Sequence, residues 1–353
     1  MAQKDVHRIV PMKSTTLLSL GTILTICGCE KLPELPVGGQ SEPVEANPQA
    51  ETAAVETPEI PAVPLTAEQV IAAFQALETT DVAESDILEL AAIESGLDQI
   101  EELDLKGSRL SPASMKALAK FTGLKKLDLK AAAFGGGNLE AISTLPSLEW
   151  LDLSRTLTNN SHMPSVAKIK SLKVLKLAQT VVNDEGLGLL TDLSALEELD
   201  VSGTETVGLY LAALGKDGAK APLRILNASH TRVGTQGFRF VNQFPLVQLH
   251  ASKAMVTDLS MKGLRGCTEL TNLTLSQNQI TDESAKWLLV SKALKNLDLA
   301  RNSAITDNTL KRLLTLRDLN QLILTKTSCS MKAVESLKKR LPNCTVQIAE
   351  QTL

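Results

Sequence analysis

Aromatic side chains are scarce in this 353-residue sequence: six Phe, two Trp and one Tyr, 3% of the total. That leaves few platforms on which unpaired bases could stack. Basic residues are scattered through a chain of net charge −4, so no electrostatic footprint for nucleic acid stands out. Histidine occurs four times, at His7, His162, His230 and His250, and no H-E-x-x-H pair is present. His230 and His250 could share one edge, but a metal site needs further ligands that the sequence does not supply, so solvated histidines are expected. No G-x-S-x-G and no phosphate-cradling glycine loop opens a helix. No catalytic residue, metal site, cofactor or small-molecule substrate is therefore expected. Of five cysteines, only Cys27 and Cys29 lie close together.

What is present is repetition. From Ile100 to Ile348 the phrase L-x-x-L-x-L returns about every 24 residues, starting at Ile100, Leu124, Leu148, Leu172, Leu196, Leu223, Leu246, Leu270, Leu294 and Leu319. A degenerate last copy from Asn343 carries Val346 and Ile348. The period-2 alternation within each phrase, as in Leu273 and Leu275, predicts a short strand with one buried face. A fixed period of this length signals a solenoid, in which each unit buries its face against its neighbours. A further apolar position falls ten residues after the first leucine (Leu110, Phe134, Val182, Val233, Val256, Ile280; Ile305 after one extra residue). Next come Asp184, Asp258, Asp282 and Asp307, or Ser111-Pro112, placed to cap a helix start, with apolar residues at helical spacing behind them.

These phrases resemble the leucine-rich repeat family, in its strand–helix, ribonuclease-inhibitor-like branch, with shorter units. The resemblance implies an α/β leucine-rich repeat solenoid, curved, with parallel strands on the concave face and short helices on the convex face. About eleven repeats, the C-terminal cap included, would fill residues 100–353. Two units break the period. Three extra residues fall near Gly215–Pro222, as a protruding loop, and Gly135-Gly136-Gly137 weakens one helix start.

Residues 1–28 read as an export signal. Lys4, Arg8 and Lys13 form a basic start, with either Met1 or Met12 as initiator. The apolar run Leu17–Ile26 falls short of the ~20 residues that span a bilayer. Ile26-Cys27-Gly28-Cys29 resembles the lipobox of bacterial lipoproteins, which implies lipidation of Cys29 and anchoring to the cell envelope, on the periplasmic or cell-surface side. The alternative is an ordinary secretory signal with two incidental cysteines. Residues 29–65 continue as a spacer: positions 31–65 hold seven prolines, six glutamates and one lysine, too little apolar surface to fold. Residues 66–99 are expected to cap the first repeat. Thr66 and Gln69 fit a capping box before Val70, Ile71, Phe74 and Leu77, and Ser85 could start a second helix.

In the strand phrase the third and fifth residues point inward, so the second, fourth and sixth line the open face of the sheet. The second-residue column includes Trp150, Val174 and Ile225 among polar neighbours. The fourth includes Asp104, Asp128, Asp152 and His250, and the sixth is mostly Ser and Ala. Apolar groups rimmed by polar ones suggest a contact surface for a partner protein, at Trp150, Val174, Ile225 and His250. A self-associating envelope scaffold is the second expectation. The third is a carbohydrate- or peptidoglycan-processing enzyme built on the Asp104, Asp128 and Asp152 ladder. Cys329 sits at a buried tenth position, and Cys329–Cys344 could staple the C-terminal cap.

Overall fold

The computed structural model describes residues 84–92, 96–135, 138–214 and 222–348. The expected export signal, Cys29, the proline-rich spacer, the first cap helix and the loop near Gly218 lie outside them. Eleven parallel strands of three residues form one sheet in sequence order, from Glu102–Asp104 to Thr345–Gln347. Register is strict: Leu103 faces Leu127, Leu127 faces Leu151, and so on to Leu322 and Val346. This is the leucine-rich repeat solenoid that the phrases predict. Each strand alone has nothing to cover its leucines, and only stacking removes them from water. The third- and fifth-position side chains from Leu103 to Leu324 are at most 2% exposed. Truncating one such leucine to alanine would cost about 2–5 kcal/mol.

Helical segments form the opposite layer, and they are shorter and tighter than expected. Several repeats use 3₁₀ turns in place of α-helix, notably Phe238–Gln243 and Ser260–Gly266. A 24-residue unit leaves room for little more than two turns there. Close approach follows: a Cβ on Gly263 would lie 2.0 Å from the Phe238 carbonyl oxygen of the preceding repeat. The helix Glu84–Ala91 stands before the first strand and buries Ile87 and Leu90. Ser85 lies inside it and is not its cap.

The turn after each strand is built identically. The seventh residue of all ten repeats has positive φ, between 50° and 70°, yet only Gly107 and Gly203 are glycine. In seven of the ten repeats the eighth residue also closes that turn through its side chain. Thr156, Thr180, Thr204, Thr231 and Thr327 donate to the carbonyl three residues back at 2.6–2.7 Å. Asn278 and Asn302 do the same at 2.9 Å and also accept N–H groups of neighbouring turns.

The aspartates read as helix caps have a different role. Asn183, Thr281 and Thr306 cap their own helices. Asp184 instead accepts the N–H groups of Val207 and Tyr210, and Asp307 that of Ser330, each in the following repeat. Asp258 takes Thr281 and Ser284, and Asp282 takes Thr306 and Thr309, in the same way. These carboxylates clamp one repeat to the next. Ser111-Pro112 does start its helix as expected, with Ser111 Oγ accepting the Ser114 N–H at 3.2 Å.

Further readings change. Of the two histidines expected to be solvated, His230 is exposed but His250 is half-buried. His162 is buried at 5% exposure and shares a reciprocal capping box with Asn159. Cys329 is only half-buried, since it sits in the last full turn with one neighbouring repeat to cover it. Cys329 and Cys344 are both free, and the Cys329 thiol points back at the Ile305 carbonyl. Cys267 is 1% exposed, and burial pushes its thiol up to about 12.

Candidate interaction surface

The strands carry their second-position side chains in one in-register row across the open sheet face. Trp150 and Val174 are direct neighbours in that row. Glu198 separates Val174 from Ile225, whose next neighbour is Gln248. All three apolar residues are half-buried by the strands beside them. Two ammonium groups flank the Trp150 ring, Lys126 Nζ at 5.5 Å and Lys176 Nζ at 5.3 Å from its centroid. Each such contact contributes about 0.5–1 kcal/mol at an exposed site. The same lysines pair with Glu102 at 2.9 Å and Glu198 at 3.5 Å, so the indole is framed by held charges.

His250 lies apart from this pair, beside Asn227 and Thr274. Its Nδ1 is 3.0 Å from Thr274 Oγ1, and it lines a shallow 200 Å³ cleft with Asn272 and Asn296. Burial lowers its pKa against the opposing pull of Asp200 and Glu198. The structure therefore brings Trp150 and Val174 together and leaves Ile225 and His250 as separate features. His230 occupies a left-handed turn position and lines a different cleft, of 610 Å³, with Lys176 and Asp200.

The aspartate ladder is occupied by the fold. Asp104, Asp128, Asp152, Asp200 and Asp298 each accept the backbone N–H two residues on, at 2.7–3.2 Å. Lys106 bridges Asp104 at 2.8 Å and Asp128 at 3.2 Å, and those hydrogen bonds raise its own pKa. These carboxylates shape strand-ending turns. Among the described residues no three His, Cys, Asp or Glu side chains gather to hold a metal ion.

Sequence reasoning overlooked the rim beyond the sheet. The ninth residue of each repeat projects just before the buried tenth. It is Arg109, Glu205, Arg232 or Gln279 in several repeats, but Leu157 and Val181 in two consecutive ones. Leu157 is 84% exposed and Val181 64% exposed. They belong to the same two repeats as Trp150 and Val174. Two successive branched apolar residues at a position that is polar in most other repeats, Ala133 and Met255 excepted, were the available signal, and reading only the strand columns missed it. The repeats starting at Leu148 and Leu172 thus show apolar groups on both the sheet and its rim.

Comparison with known proteins agrees with the fold. A family described as "Leucine Rich repeat" matches residues 266–288. No curated protein matches the chain in sequence. Among solved structures, the chain is similar to a TDR receptor at 17% identity and TM-score 0.50, over 71% of this chain and 43% of that one. An internalin from Listeria monocytogenes aligns at 17% identity and TM-score 0.48, over 81% and 94% of the two chains. A leucine-rich repeat protein from Leptospira interrogans aligns at 19% identity and TM-score 0.44, over 74% of each. With an eleven-stranded parallel ladder on one face, short helices on the other and the repeat phrase in register throughout, the chain has the fold of a leucine-rich repeat solenoid.

Proposed function

We propose that the chain is a non-enzymatic recognition module that binds a partner protein through the repeats starting at Leu148 and Leu172. The observation that carries this reading is the coincidence, in those two repeats, of Trp150 and Val174 on the sheet with Leu157 and Val181 on its rim. A half-buried indole framed by Lys126 and Lys176, beside the exposed Leu157 and Val181, fits a partner that presents an apolar side chain ringed by carboxylates. Ile225 and His250 would extend the contact toward the later repeats. A surface preorganised by eleven stacked strands loses little conformational freedom on binding. The sequence at Cys29 supports tethering to a bacterial cell envelope by lipid, with residues 31–65 as spacer.

The test is cross-linking and capture from the native envelope, comparing wild type with a Trp150→Ala/Leu157→Ser variant of matched thermal stability. A partner captured by wild type and lost in the variant is the expected result. Equal capture by both would sink this face as the binding site. Capture of nothing but further copies of the chain would favour a self-associating scaffold instead.

A further inference from the structure

Charge is unevenly divided along this chain. Residues 32–105 contain 17 Asp and Glu and no Lys, Arg or His. Residues 222–348 contain 18 Lys and Arg against eight Asp and Glu, a net of +10. Four of those eight carboxylates are engaged within the fold: Asp258, Asp282 and Asp307 as clamps, and Asp298 on the Ala300 N–H. In the earlier repeats Lys125, Lys126, Lys168, Lys170 and Lys173 each lie within 3.0 Å of a carboxylate. Arg239 and Lys262 have no carboxylate within ion-pair distance among the described residues, and Lys286 reaches Glu283 only at 3.9 Å.

These three cations occupy the same position in three consecutive repeats, so they form a column on the helical side. Beside its first two members lies a 770 Å³ cleft lined by Arg239, Lys262, Met255, Leu259, Thr257 and Gln279. Leu259 is 72% exposed and Met255 49% exposed. Arg239 stacks over the Phe240 ring at 4.7 Å and, like Lys262, has no carboxylate partner among the described residues, so an apolar floor beside these two cations fits an extended acidic peptide with interspersed apolar residues.

We propose that residues 41–64 of the same polypeptide dock across this cleft, their glutamates on the Arg239, Lys262 and Lys286 column and their apolar residues on Met255 and Leu259. The segment offers Glu42, Glu45, Glu51, Glu56 and Glu59 together with Val44, Val55, Ile60 and Val63, and no cation. Glu42 and Glu45, like Glu56 and Glu59, are three apart. In a polyproline II chain that spacing returns to the same side after ~9 Å. Neighbouring helical segments pack at about 8–10 Å, so successive glutamates match successive cations. Arg239, the nearest of the three cations, lies five repeats beyond the first strand, about 40–50 Å along the helical side at 8–10 Å per repeat. The twenty-five residues from Glu59 to Glu84 can extend to about 80 Å. Such a tether makes the contact intramolecular, so its occupancy does not depend on the protein concentration. The docked tail would compete with any acidic partner that approaches this side.

Zero-length carbodiimide cross-linking of the full chain, followed by mass spectrometry, tests this directly. Cross-links from Glu42–Glu59 to Lys262 and Lys286 within one molecule are expected. They should fall at least five-fold in Leu259→Asp and, independently, in Arg239→Glu. The Lys125–Glu101 and Lys168–Glu140 cross-links report that the variants remain folded. A mixture of isotope-labelled and unlabelled protein separates contacts within a molecule from contacts between copies. Links only between copies would assign the cleft to a second molecule and overturn the proposal. So would links to Lys262 no stronger than those to Lys338 and Lys339, or links indifferent to both substitutions.

Discussion

Asp282 holds Thr306 of the next repeat by two hydrogen bonds, from its N–H at 2.9 Å and from its Oγ1 at 2.5 Å. Thr309 adds two more, at 3.2 and 2.6 Å. A single carboxylate thus satisfies the open helix start of its neighbour. Without it, two backbone donors and two hydroxyls at the junction lose their acceptor. Asp282→Ala should destabilise the chain by about 2 kcal/mol, the range for hydrogen bonds to a charged group. Asp282→Asn should cost less, because an amide oxygen still accepts. Urea midpoints of the three proteins check the order, and equal midpoints would remove the clamp from the stability account.

The same clamps set an acid limit. Burial pushes the Asp258 carboxyl up, but the hydrogen bonds from Ser284 and Thr281 outweigh it and hold its pKa below the ordinary value. At Asp282 burial is likewise outweighed by Thr306 and Thr309. An unfolded aspartate takes its proton near ~3.9, above these folded values, so the unfolded state binds more protons between the two. The clamps' contribution is fully present above the unfolded pKa and is lost as pH falls through the folded ones. Stability should therefore decline below about pH 4. Asp258→Asn/Asp282→Asn should decline less steeply there, as equilibrium unfolding across the acid range would show.

Sequence periodicity carried the architecture because the leucines do one job in every repeat. Burial on one sheet face requires the same residue type at the same spacing, so Leu103 to Leu322 declare themselves. The clamps were half legible. Asp282 stood where a cap should stand, but its partners Thr306 and Thr309 lie 24 and 27 residues on, and spacing cannot say which repeat a side chain turns toward. Tenth-position Thr158 and Thr206 look unlike core residues in the sequence. Both are fully buried because Thr156 and Thr204 complete their hydrogen bonding. The sheet columns were placed correctly, yet exposure along them was not. A second-position residue is half-covered by its neighbours, whereas ninth-position Leu157 is not.

The left-handed turn residues invite a paired test. Ala131 has φ of 57° and Gly107 has φ of 69° at equivalent positions of adjacent repeats. A Cβ in this conformation crowds the following carbonyl at a cost of roughly 1–2 kcal/mol, partly offset by the entropy glycine loses on folding. Ala131→Gly should stabilise the protein by about 0.5–1 kcal/mol. Gly107→Ala should destabilise it by a similar amount, although nothing lies within 4 Å of the added carbon. Opposite shifts in urea midpoint would isolate the backbone term from packing. Shifts of the same sign would mean that local contacts dominate.

Tyr210, the sole tyrosine, is 1% exposed, and its hydroxyl has no hydrogen-bond partner among the described residues. Burial, with the nearby charges of Asp184 and Asp200, raises its pKa far beyond that of a free phenol. Its ring fills the core of the repeat starting at Leu196, while its N–H is held by Asp184 at 3.1 Å. The ring is needed there and the oxygen is not. Removing an unsatisfied buried hydroxyl recovers its desolvation cost, so Tyr210→Phe should raise stability by about 1 kcal/mol with an unchanged denaturant slope. Alkaline titration gives a second readout from the same residue. Phenolate absorbance should appear only as the chain unfolds, in step with loss of helical and strand signal. Ionisation near pH ~10 in a chain that remains folded would place the hydroxyl in contact with water and remove the basis for the predicted gain.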